Sequence, residues 1–133
     1  MALFKTELIV EWGDCDEAGI VFYPNYFYWF DCTFQRMLRS RELGQRQLRS
    51  RFGAVTPLVD VGAKFLGPVR YDDVLRIEAA VVDWAERKFR TAYRVKLGAS
   101  TVAEGHELRA WASLADGKLT AAAIPEEFKM LMT

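Results

Sequence analysis

The sequence predicts an α+β fold in which a curved antiparallel sheet wraps around one long helix. Two observations support this prediction. A stretch near residues 24–43 is apolar at helical spacing and on more than one side, and the chain after residue 53 consists of consecutive strand-like segments. A helix that is apolar on most sides needs a larger covering surface than one partner helix, and a curved sheet supplies it. A parallel βαβ unit is not expected, because no further helices separate the later strands.

The composition predicts one folded domain over residues 1–133, with a hydrophobic core that needs no metal or disulfide. The 18 basic residues balance 18 acidic ones, so the charge gives no reason to expect a nucleic-acid partner. The longest uncharged run, residues 18–30, is too short to cross a membrane. Acidic residues interrupt the N-terminal apolar stretch, and Cys15 and Cys32 suit a reduced protein, so a cytoplasmic location is expected.

The first predicted elements are a strand and the long helix. The strand covers Leu3–Trp12, where apolar and polar residues alternate, and it ends at the turn-forming residues 13–19. The helix runs from Pro24 to Leu43, about 30 Å, with proline at its start and Gly44 at its end. Its apolar positions recur at helical spacing: Tyr26, Trp29, Phe30, Thr33, Phe34, Met37 and Leu38.

The remainder predicts antiparallel strands joined by short links. The predicted strands are Pro57–Val69, Val74–Trp84, Phe89–Leu97, Thr101–Leu114 and Lys118–Ile124, followed by a helical turn at Pro125. Before them, residues 36–51 contain six arginines and one glutamate. This basic stretch is either the solvated end of the helix with its loop or an additional surface for anions.

Two carboxylates, Asp14 and Asp16, are predicted between the first strand and the helix N-terminus. Free N–H groups in a first helical turn can stabilise a developing oxyanion, and an aspartate in the same apolar pocket can act as nucleophile or as base. The alternative is that both carboxylates only cap a tight turn. The lone histidine, His106, lies within a strand, and one histidine with two separate cysteines does not indicate a zinc site.

The run GDCDEAGIVFYPNY, residues 13–26, resembles the motif of hot-dog-fold acyl-CoA thioesterases. It is most similar to the 4-hydroxybenzoyl-CoA thioesterase branch, whose pattern is G-D-C-D-x-A-G-I-V-[aromatic]-Y-P-N-Y. Weaker matches extend along most of the chain: Trp29, Asp31, Thr56-Pro57, residues 71–75, residues 77–78 and Trp84. The resemblance implies a hot-dog fold, thioester hydrolysis, and coenzyme A as part of the substrate with no separate cofactor. It also implies an active site between subunits, and a homotetramer made of two dimers is expected.

The resemblance assigns the catalytic roles to two residues. Asp16 becomes the catalytic carboxylate, which either attacks the thioester carbonyl or activates water. The backbone N–H of Tyr23 becomes the donor that polarises this carbonyl. Asp14 is expected to order the loop.

The resemblance also suggests which residues contact the substrate. Phe22, Asp31 and Thr56 would contact the acyl group, with Asp31 accepting a hydrogen bond from a ring hydroxyl. Asp31 could instead be satisfied by backbone or by a neighbouring subunit. Arg87 and Lys88 would bind the coenzyme A phosphates, or they are a solvated hairpin tip.

The residue after the motif tyrosine bears on the acyl group. Many relatives that act on aliphatic acyl-CoA have a histidine there, whereas this chain has Pro24. The resemblance therefore favours an aryl-CoA, with 4-hydroxybenzoyl-CoA as the leading candidate. The alternatives are a thioesterase for another hydroxyaryl- or short-chain acyl-CoA, a hydratase or dehydratase of the same fold, and a non-catalytic acyl-CoA-binding module.

Overall fold

A five-stranded antiparallel sheet carries a long helix on one face in the computed structural model, which describes residues 3–133. Met1 and Ala2, included in the single-domain prediction, lie outside the described residues. The elements are β1 (Phe4–Ile9), α1 (Pro24–Ser40), α2 (Gln45–Phe52), β2 (Ala54–Val55), β3 (Leu58–Phe65), β4 (Val74–Trp84), β5 (Lys88–Leu97), β6 (Ser100–Ala110), β7 (Ala112–Ala115), β8 (Lys118–Ala121) and α3 (Glu126–Met132). The large sheet has the order β1-β4-β5-β6-β3, and β2, β7 and β8 form a second sheet.

The core lies between α1 and the large sheet. Phe30 of α1 stacks on Tyr93 of β5, with ring centroids 4.6 Å apart. Beneath the Phe30 ring lies Gly105 of β6, where a Cβ would come within 2.3 Å of that ring. Farther along α1, Phe34 packs against Phe89 at 6.0 Å. The predicted α+β class, an antiparallel sheet covering a long helix, is confirmed.

The two short helices, α2 and α3, pack through aromatic rings against the end of the large sheet at which β4 ends. Phe128 of α3 lies 4.7 Å from Trp111, 6.3 Å from Phe52 of α2 and 6.0 Å from Trp84 of β4. These contacts place α2 and α3 close to the β4–β5 hairpin. None of the helices within residues 3–133 is long and apolar enough to cross a membrane.

The helical region differs from the prediction at its C-terminal end. α1 ends at Ser40 instead of Leu43, because Glu42 adopts a φ of 57° and reverses the chain, so that the Leu43 N–H donates to the Leu38 carbonyl at 2.8 Å. The basic stretch after it contains α2, which the sequence does not predict. Gly53, with a φ of 60°, ends α2 in the left-handed conformation.

The predicted strand Thr101–Leu114 is two strands. Trp111 lies where the chain passes from the large sheet to the second one. Its N–H still donates to the Arg87 carbonyl at 2.8 Å, next to the last β5–β6 pair, and β7 then pairs with β2 and β8. The Val74–Trp84 prediction matches β4, and the other predicted strands differ from the observed ones at their ends. β1 and β3 are both shorter than predicted.

Candidate active site

A tight loop holds Asp16 close to the start of α1. The Asp16 N–H donates to the Ile20 carbonyl at 2.9 Å, and Gly19 supplies the positive φ of 79° in this turn. The Val21 N–H donates to the Val69 carbonyl at 2.8 Å, which anchors the loop to the segment before β4. The loop is therefore fixed by backbone hydrogen bonds at both of its ends.

The Asp16 carboxylate has one oriented oxygen and one available oxygen. Its Oδ1 accepts the Ala18 N–H at 2.9 Å, and its Oδ2 has no hydrogen-bond partner within residues 3–133.

Asp16 borders two clefts. The larger, about 230 Å³, is lined by Asp16, Ile20, Val21, Tyr23, Tyr26, Phe65, Gly67, Pro68 and Val69. The smaller, about 150 Å³, is lined by Trp12, Cys15, Asp16, Gly19 and Tyr71.

The predicted enclosure of Asp16 in an apolar pocket is not found in the single chain. Residues 16–19 form the outer side of the turn and are all exposed. Asp16 therefore lies at the rim of a partly apolar cleft instead of inside one.

Asp14 orders the loop through its side chain and its backbone. Its Oδ2 accepts the Glu11 N–H at 2.8 Å. Its carbonyl oxygen accepts the Phe22 N–H at 2.9 Å and the Asn25 side-chain amide at 2.8 Å. These bonds connect the start of α1 directly to the loop that carries Asp16.

The backbone N–H of Tyr23 is left available at the start of α1. Pro24 has no N–H, the Asn25 N–H donates to the Phe22 carbonyl at 3.0 Å, and the Tyr26 N–H donates to the Tyr23 carbonyl at 3.1 Å. The Tyr23 N–H itself has no acceptor in the part of the chain that the structure describes. Because a helix N-terminus carries partial positive charge, this N–H can stabilise an oxyanion in the larger cleft.

Exposed aromatic rings lie beside this N–H. The rings of Phe22 and Tyr23 are 5.5 Å apart, and the Tyr23 ring lies 6.4 Å from Phe65 at the end of β3. The structure thus brings the predicted residues Asp16, Phe22 and Tyr23 together at the start of α1.

The predicted residues Asp31 and Thr56 meet at Arg109, which the sequence does not single out. Arg109 donates to Asp31 Oδ1 at 2.8 Å and to the Thr56 carbonyl at 2.9 Å. Its guanidinium carbon lies 4.1 Å from the ring centre of Phe34. The Asp31 side chain is 43% exposed, and that of Arg109 only 5%. Asp31 Oδ1 is bonded to an arginine of the same chain, a partner that the sequence does not predict.

Glu107 and Tyr93 hold Arg109 from the buried side. Glu107 Oε1 accepts from Arg109 Nε at 3.3 Å and from Nη2 at 3.1 Å, and it also accepts the Tyr93 hydroxyl. Burial raises the pKa of the Glu107 carboxyl above its ordinary value, although the charge of Arg109 and these hydrogen bonds oppose the shift. Burial likewise raises the pKa of Tyr93. We refer to Tyr93, Glu107, Arg109, Asp31 and Thr56 as the arginine cluster.

Arg87 and Lys88 lie at the other end of the sheet from Asp16. Both are exposed at the β4–β5 hairpin, whereas the Asp16 loop is anchored near the beginning of β4. β4 spans 11 residues, so about 33 Å separates its two ends. The structure therefore does not bring these cations to the carboxylate of the same chain.

His106 is distant from this chemistry. Its neighbour Gly105 faces α1, so the imidazole points to the opposite face of the sheet, where Nε2 lies 2.9 Å from Asp60 Oδ2. Within residues 3–133, no group of three or more His, Cys, Asp or Glu side chains is arranged to hold a metal ion.

Comparisons with known proteins agree in pointing to one family. Residues 10–130 match the family model described as the thioesterase-like superfamily. The 4-hydroxybenzoyl-CoA thioesterase of Pseudomonas sp. (strain CBS-3) is 32% identical over 126 residues, which cover 90% of this chain and 89% of that protein.

Solved structures of similar proteins have the same fold. A mutant 4-hydroxybenzoyl CoA thioesterase complexed with 4-hydroxybenzoyl CoA superposes with a TM-score of 0.88 at 31% identity, covering 98% of this chain and 99% of that chain. The BH1999 gentisyl-coenzyme A thioesterase gives a TM-score of 0.82 at 26% identity, covering 97% and 98%.

Proposed function

Because this chain belongs to the thioesterase-like superfamily, we propose that it hydrolyses an aryl-CoA thioester, with 4-hydroxybenzoyl-CoA as the first candidate. Membership confirms the family resemblance of residues 13–26 and the hot-dog fold, and it makes the chain a thioester hydrolase. The aryl preference is supported by two similar proteins that are named for 4-hydroxybenzoyl-CoA and gentisyl-coenzyme A. The observation that carries the proposal is the unpaired N–H of Tyr23, a residue that lines the same cleft as Asp16.

The mechanism uses these two groups. The thioester carbonyl oxygen accepts the Tyr23 N–H, which stabilises the negative charge that develops on it. Asp16 either attacks the carbonyl carbon, so that the carbon–sulfur bond breaks, the coenzyme A thiolate leaves and water hydrolyses the remaining mixed anhydride, or it takes a proton from a water whose oxygen attacks the carbonyl carbon while the same bond breaks. In both routes the leaving thiolate takes up a proton. Both routes give the free acid and coenzyme A, which is part of the substrate and is released as a product. No separate cofactor is part of the proposal.

The acyl group is proposed to extend along α1 toward the arginine cluster. At about 1.5 Å per residue, Asp31 lies about 12 Å from Tyr23 along the helix axis. This separation suits a hydroxybenzoyl group that is hydrogen-bonded at both ends. Asp31 then accepts the ring hydroxyl, Thr56 lies beside it, and Phe22 contacts the substrate near the reacting carbonyl.

A dimer is proposed because β3 is an exposed apolar edge strand. Leu58, Val59 and Val61 are exposed along β3, which, among the described residues 3–133, has a neighbouring strand on one side only. Antiparallel pairing of two β3 strands reverses the second copy end to end, so its β4–β5 hairpin approaches the first copy's Asp16. Arg87 and Lys88 of one copy then bind the coenzyme A phosphates of an ester held by the other. Two such dimers make the proposed homotetramer.

The proposed hydrolysis is tested by free-thiol release from 4-hydroxybenzoyl-CoA, benzoyl-CoA and a short-chain acyl-CoA. We expect the aryl esters to react with the higher kcat/KM. Asp16→Asn should lower hydrolysis by about 10³-fold or more while ester binding persists, because the catalytic carboxylate is lost. Glu17→Gln is the matched control, since Glu17 is an exposed carboxylate in the same turn.

Each other outcome identifies an alternative. Faster hydrolysis of the short-chain ester would favour a short-chain thioesterase. Binding of the esters without thiol release from any of them would favour the non-catalytic binding module. Equal activity of the wild type and Asp16→Asn would exclude Asp16 as the catalytic group.

A further inference from the structure

The arginine cluster leaves two oxygen atoms without partners. Asp31 Oδ1 accepts from Arg109 at 2.8 Å and from Gln35 at 3.2 Å, whereas Asp31 Oδ2 has no partner in the chain that the structure describes. The Thr56 hydroxyl is buried and also lacks a partner there. A buried hydroxyl without a hydrogen bond costs about 1–3 kcal/mol, so its retention points to a ligand that completes it.

One guanidinium holds both of these residues. Nη1 of Arg109 binds the Thr56 carbonyl and Nη2 binds Asp31, so the planar fork fixes the spacing between the start of β3 and the middle of α1. Arg109 is itself immobilised by Glu107 on one edge and by the ring of Phe34 on its face. Asp31 is thereby oriented by one oxygen and remains an acceptor through the other.

We propose that Arg109 is the positioning residue for hydroxyl selectivity, holding Asp31 as acceptor and Thr56 as hydroxyl donor for one phenolic hydroxyl of the acyl group. This inference rests on the proposed hydrolysis of an aryl-CoA. Arg109 has no contact with the reacting carbonyl and acts through Asp31 and Thr56. A ring without a hydroxyl leaves both oxygens unpaired, and such a site discriminates strongly against it.

The test compares kcat/KM for 4-hydroxybenzoyl-CoA and benzoyl-CoA in the purified wild type and its variants. Wild type should favour the hydroxylated ester, and Arg109→Lys should lower this preference about tenfold or more, because a lysine cannot form the planar fork. We expect the loss chiefly as a raised KM for the hydroxylated ester. Arg94→Lys is the matched control, since Arg94 is exposed on β5 and points away from α1.

A second variant covers the case in which Arg109→Lys does not fold. Thr56→Val keeps the side-chain shape and removes only the hydroxyl, and it should lower the same preference without affecting Arg109. Thermal unfolding of each variant reports its folding separately from its selectivity.

The remaining outcomes separate the two proposals. Equal kcat/KM of the wild type for both esters, an unchanged preference in the folded variants, or an equal loss for both esters would overturn the role of Arg109 while thioester hydrolysis stands. Failure of the wild type to hydrolyse either ester would overturn the proposed function and, with it, this inference.

Discussion

The backbone N–H of Phe22 donates to the carbonyl of Asp14 at 2.9 Å. Phe22 directly precedes Tyr23, and Asp14 lies two residues before Asp16. The bond therefore links the backbone next to the unpaired Tyr23 N–H to the backbone that carries the Asp16 carboxylate. Asn25 strengthens the connection through its side-chain amide, which binds the same carbonyl at 2.8 Å. The relative position of donor and carboxylate is therefore set by the loop backbone, even though Asp16 is exposed.

Removal of the Tyr23 N–H should abolish most hydrolysis. Tyr23 has a φ of −56°, close to the value that proline imposes, so Tyr23→Pro removes the donor without requiring a different φ. Loss of one oxyanion donor costs about 10²–10³-fold in kcat. Tyr23→Ala is the control, because it removes the ring and keeps the N–H. Similar kcat values for the two variants would show that the N–H does not act on the carbonyl.

A charge on the exposed edge strand should weaken both assembly and activity. Val59 is 50% exposed on β3, and Val59→Lys would place an ammonium group in the proposed dimer contact. Sedimentation should then shift toward the monomer, and kcat/KM should fall, because in the proposed dimer the second copy supplies the phosphate-binding cations. Met130→Lys on α3 is the control at another exposed apolar position. A wild-type monomer at micromolar concentration would contradict the dimer.

The long helix and most strands could be predicted because their side-chain periodicity is strong. α1 buries Tyr26, Trp29, Phe30, Thr33, Phe34, Met37 and Leu38, the same residues that recur at helical spacing in the sequence. α2 lacks such a pattern, since Leu48 is its one buried residue and three of its eight residues are arginine. Its packing depends on tertiary contacts of Phe52 with Trp111 and Phe128, which are distant in sequence.

The loop that carries Asp16 could be predicted from the sequence, whereas the arginine cluster could not. Asp16 and Tyr23 are close in sequence, and a local motif indicates that they work together. Glu107 and Arg109 alternate along β6 as the charges of an exposed strand face would, and nothing near them identifies a partner. The partner Asp31 is 78 positions away on α1, so only the packed fold reveals the pair.

Gly105→Ala should destabilise the core between α1 and the large sheet. A Cβ at this position would lie 2.3 Å from Phe30 Cε2 and 3.1 Å from the Gly62 carbonyl oxygen. Phe30 is fully buried and stacked on Tyr93, so it has little room to move. We expect a loss of about 1–3 kcal/mol in the free energy of unfolding, measured by denaturant titration. Gly13→Ala, which meets no atom within 4 Å, should change it by less than about 0.5 kcal/mol.

Ionisation of Tyr26 should lower the free energy of unfolding at alkaline pH. Burial raises the pKa of Tyr26 from 10.0 to about 12, so the folded state retains this proton at a pH where the unfolded state has lost it. The stabilisation is therefore fully present below about pH 10 and is lost as the pH rises toward about 12. The pKa shift of Tyr26 contributes at most about 3 kcal/mol to the free energy of unfolding.

Tyr26→Phe tests this titration, because it keeps the buried ring and removes the ionisable hydroxyl. The free energy of unfolding, measured in urea at a series of pH values, should fall less steeply between about pH 10 and 12 in the variant than in the wild type. Part of the slope should remain, since burial also raises the pKa of Tyr93. Tyr71→Phe serves as the control at an exposed position. Parallel stability curves for wild type and Tyr26→Phe would mean that Tyr26 ionises equally readily in both states.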